Sequence, residues 1–155
     1  MTRRVLLTAA MLLSFAIALP AADDPIIGTW KLNLAKSNTS AAATFKSGAA
    51  KIESQQDGLK TTTDLVTIQG ETIHTEFTAK YDGQDYPVTG DPYSNTISIQ
   101  RIDANRVYTT WKKDGRVVTI AENVISADGK TWTETIVTRD AQGREVRIVA
   151  VYDKQ

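Results

Sequence analysis

Glycines in turn-like positions recur along this chain at intervals close to the length of one β-strand. Seven of the nine glycines fall in turn dipeptides or clusters, and eight turn sites follow one another at spacings of 8 to 14 residues. The sites are Asp57-Gly58, Gln69-Gly70, Asp82-Gly83, Gly90-Asp91-Pro92, Asp103-Ala104-Asn105, Asp114-Gly115, Asp128-Gly129 and Gln142-Gly143. Asp-Gly favours tight hairpin turns, because glycine takes a positive φ without steric cost. The spacing therefore predicts nine short strands after an apolar first strand.

Ten strands joined by short turns indicate an all-β fold, an up-and-down antiparallel β-barrel. The chain has no cysteine, so burial and strand pairing must hold the fold, and a closed barrel leaves no free strand edge. Residues 26–34 alternate in polarity and predict the first strand. Residues 35–48 lack a strand period and predict an irregular connection with at most one helical turn near residues 41–43.

The first 22 residues have the layout of an export signal peptide. Arg3 and Arg4 precede an almost wholly apolar stretch that ends in small residues around Pro20. An uncleaved membrane anchor is the alternative, since the stretch nearly reaches spanning length. Pro20 and the alanines beside it favour cleavage, so we expect residues 23–155 to form one exported domain, periplasmic or extracellular.

Charge narrows the range of partners for the mature chain. Loss of Arg3 and Arg4 lowers the basic residues from 18 to 16 against 18 acidic ones, a net charge of about −2. That balance argues against a nucleic acid or an anionic membrane surface as the partner. We expect no stable membrane insertion once the signal peptide is removed.

Carboxylates share a predicted strand face with apolar residues at two places. Glu122 alternates in step with Val118 and Ile120, and Glu134 alternates in step with Trp132 and Ile136. One interpretation is a polar barrel interior of the kind that surrounds a ligand cavity. The other is that a β-bulge shifts the register and turns the carboxylate outward. The sequence leaves both open.

Several segments resemble the lipocalin and fatty-acid-binding protein superfamily, the calycins. Gly28-Thr29-Trp30 resembles the start of the calycin barrel, Lys113-Asp114-Gly115-Arg116 resembles a late hairpin of fatty-acid-binding proteins, and 151–154 (VYDK) resembles their closing strand. Residues 28–37 (GTWKLNLAKS) and 79–90 (AKYDGQDYPVTG) are most similar to a group of uncharacterised exported bacterial lipocalin-like proteins. The resemblance implies a lipocalin-like barrel whose closed end is plugged by Trp30, with Gly28 beside it.

The same resemblance argues against a fatty acid as the ligand. Fatty-acid-binding proteins hold the ligand carboxylate with interior arginines, one of them in an Arg-x-Tyr of the last strand. Here the triplet reads Ala150-Val151-Tyr152, and Glu122 stands where a second arginine is expected. An anionic head group would lose its charge-assisted partners and meet a like charge.

Catalytic and metal-binding patterns are missing from the sequence. Serine nucleophiles have no suitable histidine base, and the one histidine with no cysteine offers no metal cluster of normal spacing. Haem-binding barrels also begin Gly-Thr-Trp, but His74 alternates with polar residues, which predicts an exposed side chain. Glu122 and Glu134 could be imagined as an acid/base pair, although solvent-facing or ion-paired carboxylates are far commoner. We therefore expect no enzyme, cofactor or metal.

These observations predict an exported binding protein that carries a small apolar or neutral ligand. The ligand-binding residues expected to line the interior are Phe77, Trp111, Glu122, Trp132 and Tyr152. The alternative is a structural or interaction module of the cell envelope whose barrel is filled with side chains. A ten-strand barrel is wide enough for either outcome.

Overall fold

The computed structural model describes residues 24–155, with Thr39 and Ala42 described by their backbone alone. The predicted signal peptide, residues 1–22, lies outside the described residues. Within residues 24–155, no helix is both long and apolar enough to cross a membrane.

Ten strands and one short helix make up the described chain, which confirms the predicted all-β barrel. The strands are β1 (Gly28–Leu32), β2 (Phe45–Gln55), β3 (Gly58–Thr67), β4 (Thr72–Lys80), β5 (Tyr86–Thr89), β6 (Thr96–Asp103), β7 (Arg106–Lys113), β8 (Arg116–Ile125), β9 (Thr131–Arg139) and β10 (Glu145–Lys154). Helix α1 (Thr39–Ala42) lies between β1 and β2. Every strand pairs antiparallel with its neighbours along the chain, and β10 pairs with β1 to close the barrel.

The segment after β1 completes the closure, because β1 is too short to cover the whole edge of β10. The backbone amide of Asn33 donates to the Val151 carbonyl at 2.8 Å. Farther along, the Ser37 hydroxyl accepts from the Val151 amide at 2.9 Å, and the Asn38 side chain accepts from the Val149 amide at 3.1 Å. Two polar side chains thus satisfy backbone donors that a longer strand would have paired.

All eight predicted turn sites lie at junctions between consecutive strands, where Gly58 is already the first residue of β3 and Asp103 the last residue of β6. At Asp114-Gly115 both residues have positive φ, 50° and 78°, as a two-residue hairpin turn requires. At Asp57-Gly58 the positive φ of 61° belongs to Asp57 and not to the glycine. Gly58 serves a different need: a Cβ at this position would lie 2.1 Å from the Ala79 carbonyl oxygen.

The strand boundaries near the N-terminus differ from those predicted. β1 covers residues 28–32 instead of 26–34, and β2 begins at Phe45, so that the irregular connection is 33–44 instead of 35–48. The start of β2 was missed because its register shifts between Phe45 and Ser47. A bulge at this point interrupts the alternation of polarity on which the prediction rests.

The two ends of the barrel differ in packing. The floor end holds the start of β1, the end of β10 and the turns β2–β3, β4–β5, β6–β7 and β8–β9. The mouth end holds α1 and the other four turns. Near the floor the inward side chains are almost all buried: Trp30, Ile52, Leu59, Ala79, Ile99, Val107, Ile125, Trp132 and Tyr152. The hydrophobic core therefore lies toward the floor.

Candidate functional site

Trp30 lies at the floor of the barrel with no exposed surface. Its indole N–H donates to the Ile26 carbonyl at 2.8 Å, and its ring meets Trp132 edge-to-face with centroids 6.0 Å apart. Lys154 covers the ring from below, with Nζ 5.0 Å from the centroid. Gly28 leaves room for this lysine, since a Cβ at Gly28 would come within 2.6 Å of the Lys154 Cε.

An ionic cluster ties the N-terminal segment to this floor. Asp24 accepts hydrogen bonds from the Tyr81 hydroxyl, at 2.5 Å, and from the Arg101 guanidinium. The guanidinium also lies over the Tyr81 ring, 3.9 Å from its centroid. Burial, followed by the bond to Asp24, raises the pKa of Tyr81 well above its usual range. A cleft of about 340 Å³ beside this cluster is lined by Asp24, Pro25, Ile27, Ser54 and Lys154.

Four of the five predicted ligand-binding residues point into the barrel. Phe77 and Trp111 meet edge-to-face, with ring centroids 5.5 Å apart. Trp132 and Tyr152 stack at 4.4 Å with an interplanar angle of 19°. Phe77, Trp132 and Tyr152 are buried, whereas Trp111 is half-buried. The interior thus presents two aromatic pairs, of which the second also contacts the Trp30 plug.

Toward the mouth, the inward side chains differ in burial: some are buried, among them Val88, Ile97, Ala121 and Ile148, and others are less covered. The less covered side chains are half-buried although strand pairing places them on the inner face: Thr63, Leu65, Ile73, Thr109, Trp111, Thr119, Glu134 and Ile136. Part of the inner face toward the mouth is therefore accessible to solvent, and part of it is closed by packing.

Glu134 is the carboxylate that the fold places inside. It lies midway along β9, with the buried Asn123 and Ala150 as its cross-strand neighbours. Burial raises the pKa of Glu134 to about 7. Burial also raises the pKa of Tyr152 well above its usual range, and the charge of Glu134 adds to that effect. Ala150, where the resembling family carries an arginine, lies directly across from this carboxyl.

Asn123 organises the polar part of the interior. Its side-chain oxygen accepts from the Trp132 indole N–H at 3.0 Å. Its amide nitrogen donates to the Val107 carbonyl and the Thr109 hydroxyl, each at 3.4 Å. Trp132 is held in place by these bonds, and the Asn123 amide has no donor left for Glu134.

The prediction that Glu122 lines the interior is wrong. Glu122 lies on the outer face, where it accepts from the Tyr108 hydroxyl at 3.3 Å and stands 3.6 Å from Arg106. Apolar residues occupy both faces of β8, and the register with β7 shifts between Trp111 and Lys112, so polarity alone could not identify the inner face. The inward residues of β8 are Thr119, Ala121, Asn123 and Ile125. Both interpretations of the carboxylates therefore apply, each to a different strand.

Glu134 and Asn123 are two interior polar residues that the predicted ligand-binding set lacked. The alternation of Glu134 with Trp132 and Ile136 was a usable signal for its inward direction, and the structure follows it. Nothing in the sequence indicates the role of Asn123, because that role depends on a hydrogen bond from Trp132 on the neighbouring strand.

The single histidine is exposed, as its alternation predicted. The side chain of His74 is 59% exposed, and its Nδ1 lies 2.7 Å from an Asp64 carboxylate oxygen on the outer face. Among residues 24–155, no three histidine, cysteine or acidic side chains come together in a way that could hold a metal ion.

Strands β8 and β9 separate near the mouth. Their register ends at Ile120 and Val137, beyond which the Thr119 hydroxyl donates to Thr138 at 3.0 Å. A cleft of about 230 Å³ opens at this point, lined by Val117, Val118, Thr119, Ile120, Val137, Thr138, Arg139 and Glu145.

Comparison with known proteins identifies the fold and not a family. No protein-family profile and no curated protein sequence matches the chain. Among solved structures, zebrafish ileal bile acid-binding protein complexed with cholic acid matches with a TM-score of 0.52 at 12% sequence identity, over 84% of this chain and 99% of that one. At this identity the likeness shows the fold alone, a closed ten-strand barrel of calycin type. The resemblance to exported bacterial lipocalin-like proteins stays a prediction.

Proposed function

We propose that this chain is a non-enzymatic binding protein that holds a small apolar ligand inside its barrel. The observation that carries this proposal is the half-buried state of inward side chains near the mouth, such as Thr63, Trp111 and Ile136. Inward side chains in a filled barrel would be covered from both sides. An accessible apolar interior is the usual form of a small-molecule site.

Aromatic side chains supply the apolar surface for such a ligand. Phe77 meets Trp111 edge-to-face, and Trp132 stacks on Tyr152. Rings of this size provide large contact areas in fixed orientations. The fold comparison adds support, since the zebrafish barrel was solved in complex with cholic acid.

Interior charge favours a ligand without a carboxylate. The interior carboxylate is Glu134, because it points inward and Glu122 does not. Opposite it stands Ala150, which offers an anion no donor. A fatty-acid carboxylate in this interior would meet Glu134 without a compensating cation. We therefore propose that neutral or apolar ligands bind more tightly than fatty acids.

A structural or interaction module of the cell envelope is the second candidate. The packing near the floor favours it, because Trp30, Trp132 and Tyr152 fill the barrel there and leave no exposed surface of consequence. On this account the interior would serve stability and the loops would contact a partner.

We further propose that the protein is exported to the periplasm or the medium. The support is the order of Arg3, Arg4, an apolar stretch and small residues in positions 1–22.

Two neighbouring substitutions on β3 separate the candidates. Thr63 points inward and Thr62 points outward, so Thr63→Trp fills the interior whereas Thr62→Trp adds the same side chain outside. The neutral fluorescent probe N-phenyl-1-naphthylamine should brighten with wild type and with Thr62→Trp. Thr63→Trp should weaken its binding by about tenfold or more.

Circular dichroism verifies that both variants fold. Equal binding of the probe by the two variants, or no binding by wild type, would contradict the proposal and favour the structural module.

A further inference from the structure

Glu134 has no free hydrogen-bond donor on the two residues that lie directly across from it. On one side its cross-strand neighbour is Ala150, which has no polar side-chain atom. On the other side is Asn123, whose amide group is bonded to Val107, Thr109 and Trp132. None of the hydrogen bonds and ion pairs found in residues 24–155 includes the Glu134 carboxyl.

The basic groups nearest the floor already have partners other than Glu134. Arg101 is bound to Asp24. Lys154 donates to the Pro25 carbonyl at 3.1 Å and covers the outer side of Trp30, which separates it from the interior. Within the described strands, no other lysine or arginine shares the inner face in the middle of the barrel. The interior therefore carries an acidic group without a protein cation to balance it.

A buried carboxyl in this position is costly unless something supplies a donor. Charged groups inside proteins are normally paired or hydrogen-bonded. Burial alone raises the pKa of Glu134, with no opposing contribution from a cation. The Glu134 side chain is half-buried, so part of it is accessible to solvent.

The aromatic surroundings of Glu134 suit a cation. Trp132 precedes it on the inner face of β9 and stacks on Tyr152 of the next strand. The Tyr152 hydroxyl likewise makes no hydrogen bond within the described chain, and it feels the charge of Glu134. Aromatic faces attract cations, most strongly where water is scarce.

We infer that the ligand is an amphipathic amine, with its apolar body against Phe77 and Trp111 and its protonated amine paired with Glu134. This inference rests on the proposed function, since it names the ligand class of the same interior. The amine supplies the N–H donors that Asn123 and Ala150 do not. A neutral alcohol supplies one donor and no charge. A ligand carboxylate would be repelled by the ionised Glu134.

A matched ligand series tests the inference. Decylamine, decanol and decanoate share one apolar chain and differ at the head group. Each is titrated below its critical micelle concentration by calorimetry at pH 7.4, against wild type, Glu134→Gln and Glu122→Gln. Glu122→Gln is the matched control, because it removes a carboxylate on the neighbouring strand from the outer face.

Wild type should bind the amine about tenfold more tightly than the alcohol, and the acid more weakly than both. Glu134→Gln should remove the preference for the amine, whereas Glu122→Gln should keep it. Circular dichroism checks the fold of both variants. If Glu134→Gln fails to fold, the order of the three affinities measured on wild type still tests the inference.

Three results would overturn the inference, and they distinguish it from the proposed binding function. Equal affinities for the three ligands, or an amine preference that survives in Glu134→Gln, would refute the amine pairing and leave the proposed binding function standing. Absence of binding by all three ligands to wild type would refute the binding function itself.

Discussion

Replacing Glu134 by glutamine should stabilise the protein at alkaline pH and leave it nearly unchanged in acid. The pKa of this carboxyl rises from 4.5 to about 7 on folding because of burial. The native protein thus binds the proton more tightly than the unfolded chain does. Native-state stability is therefore lost as the pH rises from about 4.5 to 7 and stays constant above that range. Glutamine is neutral throughout and has nearly the same shape.

The size of the effect follows from the two pKa values. A tenfold change in proton affinity corresponds to about 1.4 kcal/mol, so the full difference between 4.5 and 7 corresponds to about 3 kcal/mol. Solvent reaches part of the half-buried side chain, which reduces the cost. We expect Glu134→Gln to gain about 2 to 3 kcal/mol over wild type at pH 8 and less than about 1 kcal/mol at pH 4.5.

Urea unfolding followed by tryptophan fluorescence, at half-unit steps from pH 4.5 to pH 8.5, measures the difference. At each pH, the difference in free energy of unfolding between the variant and wild type is taken. This difference removes the contributions of the other carboxylates, several of which titrate in acid, because they are the same in both proteins. Glu122→Gln is the control, and its difference from wild type should stay within about 0.5 kcal/mol because surface ion pairs contribute little.

A flat difference for Glu134→Gln across the pH range would refute the reasoning, and so would a variant that is less stable at pH 8. Either result would mean that Glu134 is solvated or paired in the native protein.

Three further outcomes are expected. Trp30→Ala should cost about 3 to 5 kcal/mol in urea unfolding, as for a large buried aromatic, and a loss below about 1 kcal/mol would show that Trp30 is not the plug. Gly90→Ala should cost at least about 2 kcal/mol, because its φ is 82° and a Cβ would lie 1.8 Å from the His74 carbonyl oxygen. Gly70→Ala, with a similar φ of 89° but open space around it, should cost about 1 kcal/mol, and equal losses at the two sites would contradict this difference. Intact-mass measurement of the exported product should give a chain that begins near Asp23, and a full-length chain retained in the membrane would contradict cleavage.

Local signals in the sequence were sufficient for the barrel topology. Turn residues act through the backbone of two or three neighbouring positions, so Asp114-Gly115 specifies its hairpin wherever it occurs. Once the turns are known, an antiparallel meander follows without knowledge of long-range contacts. The same locality explains why the faces of β4 were predicted correctly, since Phe77 and Ala79 alternate with polar residues throughout.

The faces of β8 could not be predicted in this way. Ile120 is exposed and Ala121 is buried, so hydrophobicity indicates the opposite of the actual direction. The direction is set by pairing with β7, where the register shifts between Trp111 and Lys112. This information belongs to two strands together and cannot be read from one.

The predicted site was right about aromatic residues and incomplete about charge. Trp132 and Tyr152 were expected inside and lie there, but the interior acid is Glu134 and not Glu122. Its raised pKa depends on what surrounds it in three dimensions. The cross-strand positions of Asn123 and Ala150, which leave Glu134 without a donor, emerge only from the register of three strands.

The most direct test of the binding account uses the indole N–H signals of the three tryptophans. In ¹⁵N-labelled protein titrated with decylamine, the Trp111 and Trp132 indole signals should shift together, while Trp30, behind the floor, should shift least. The backbone amides of outward residues such as Thr62 and Ile120 should stay in place. Shifts confined to Ile120 and the residues around the cleft between β8 and β9, with the Trp111 and Trp132 indoles unmoved, would contradict a ligand inside the barrel.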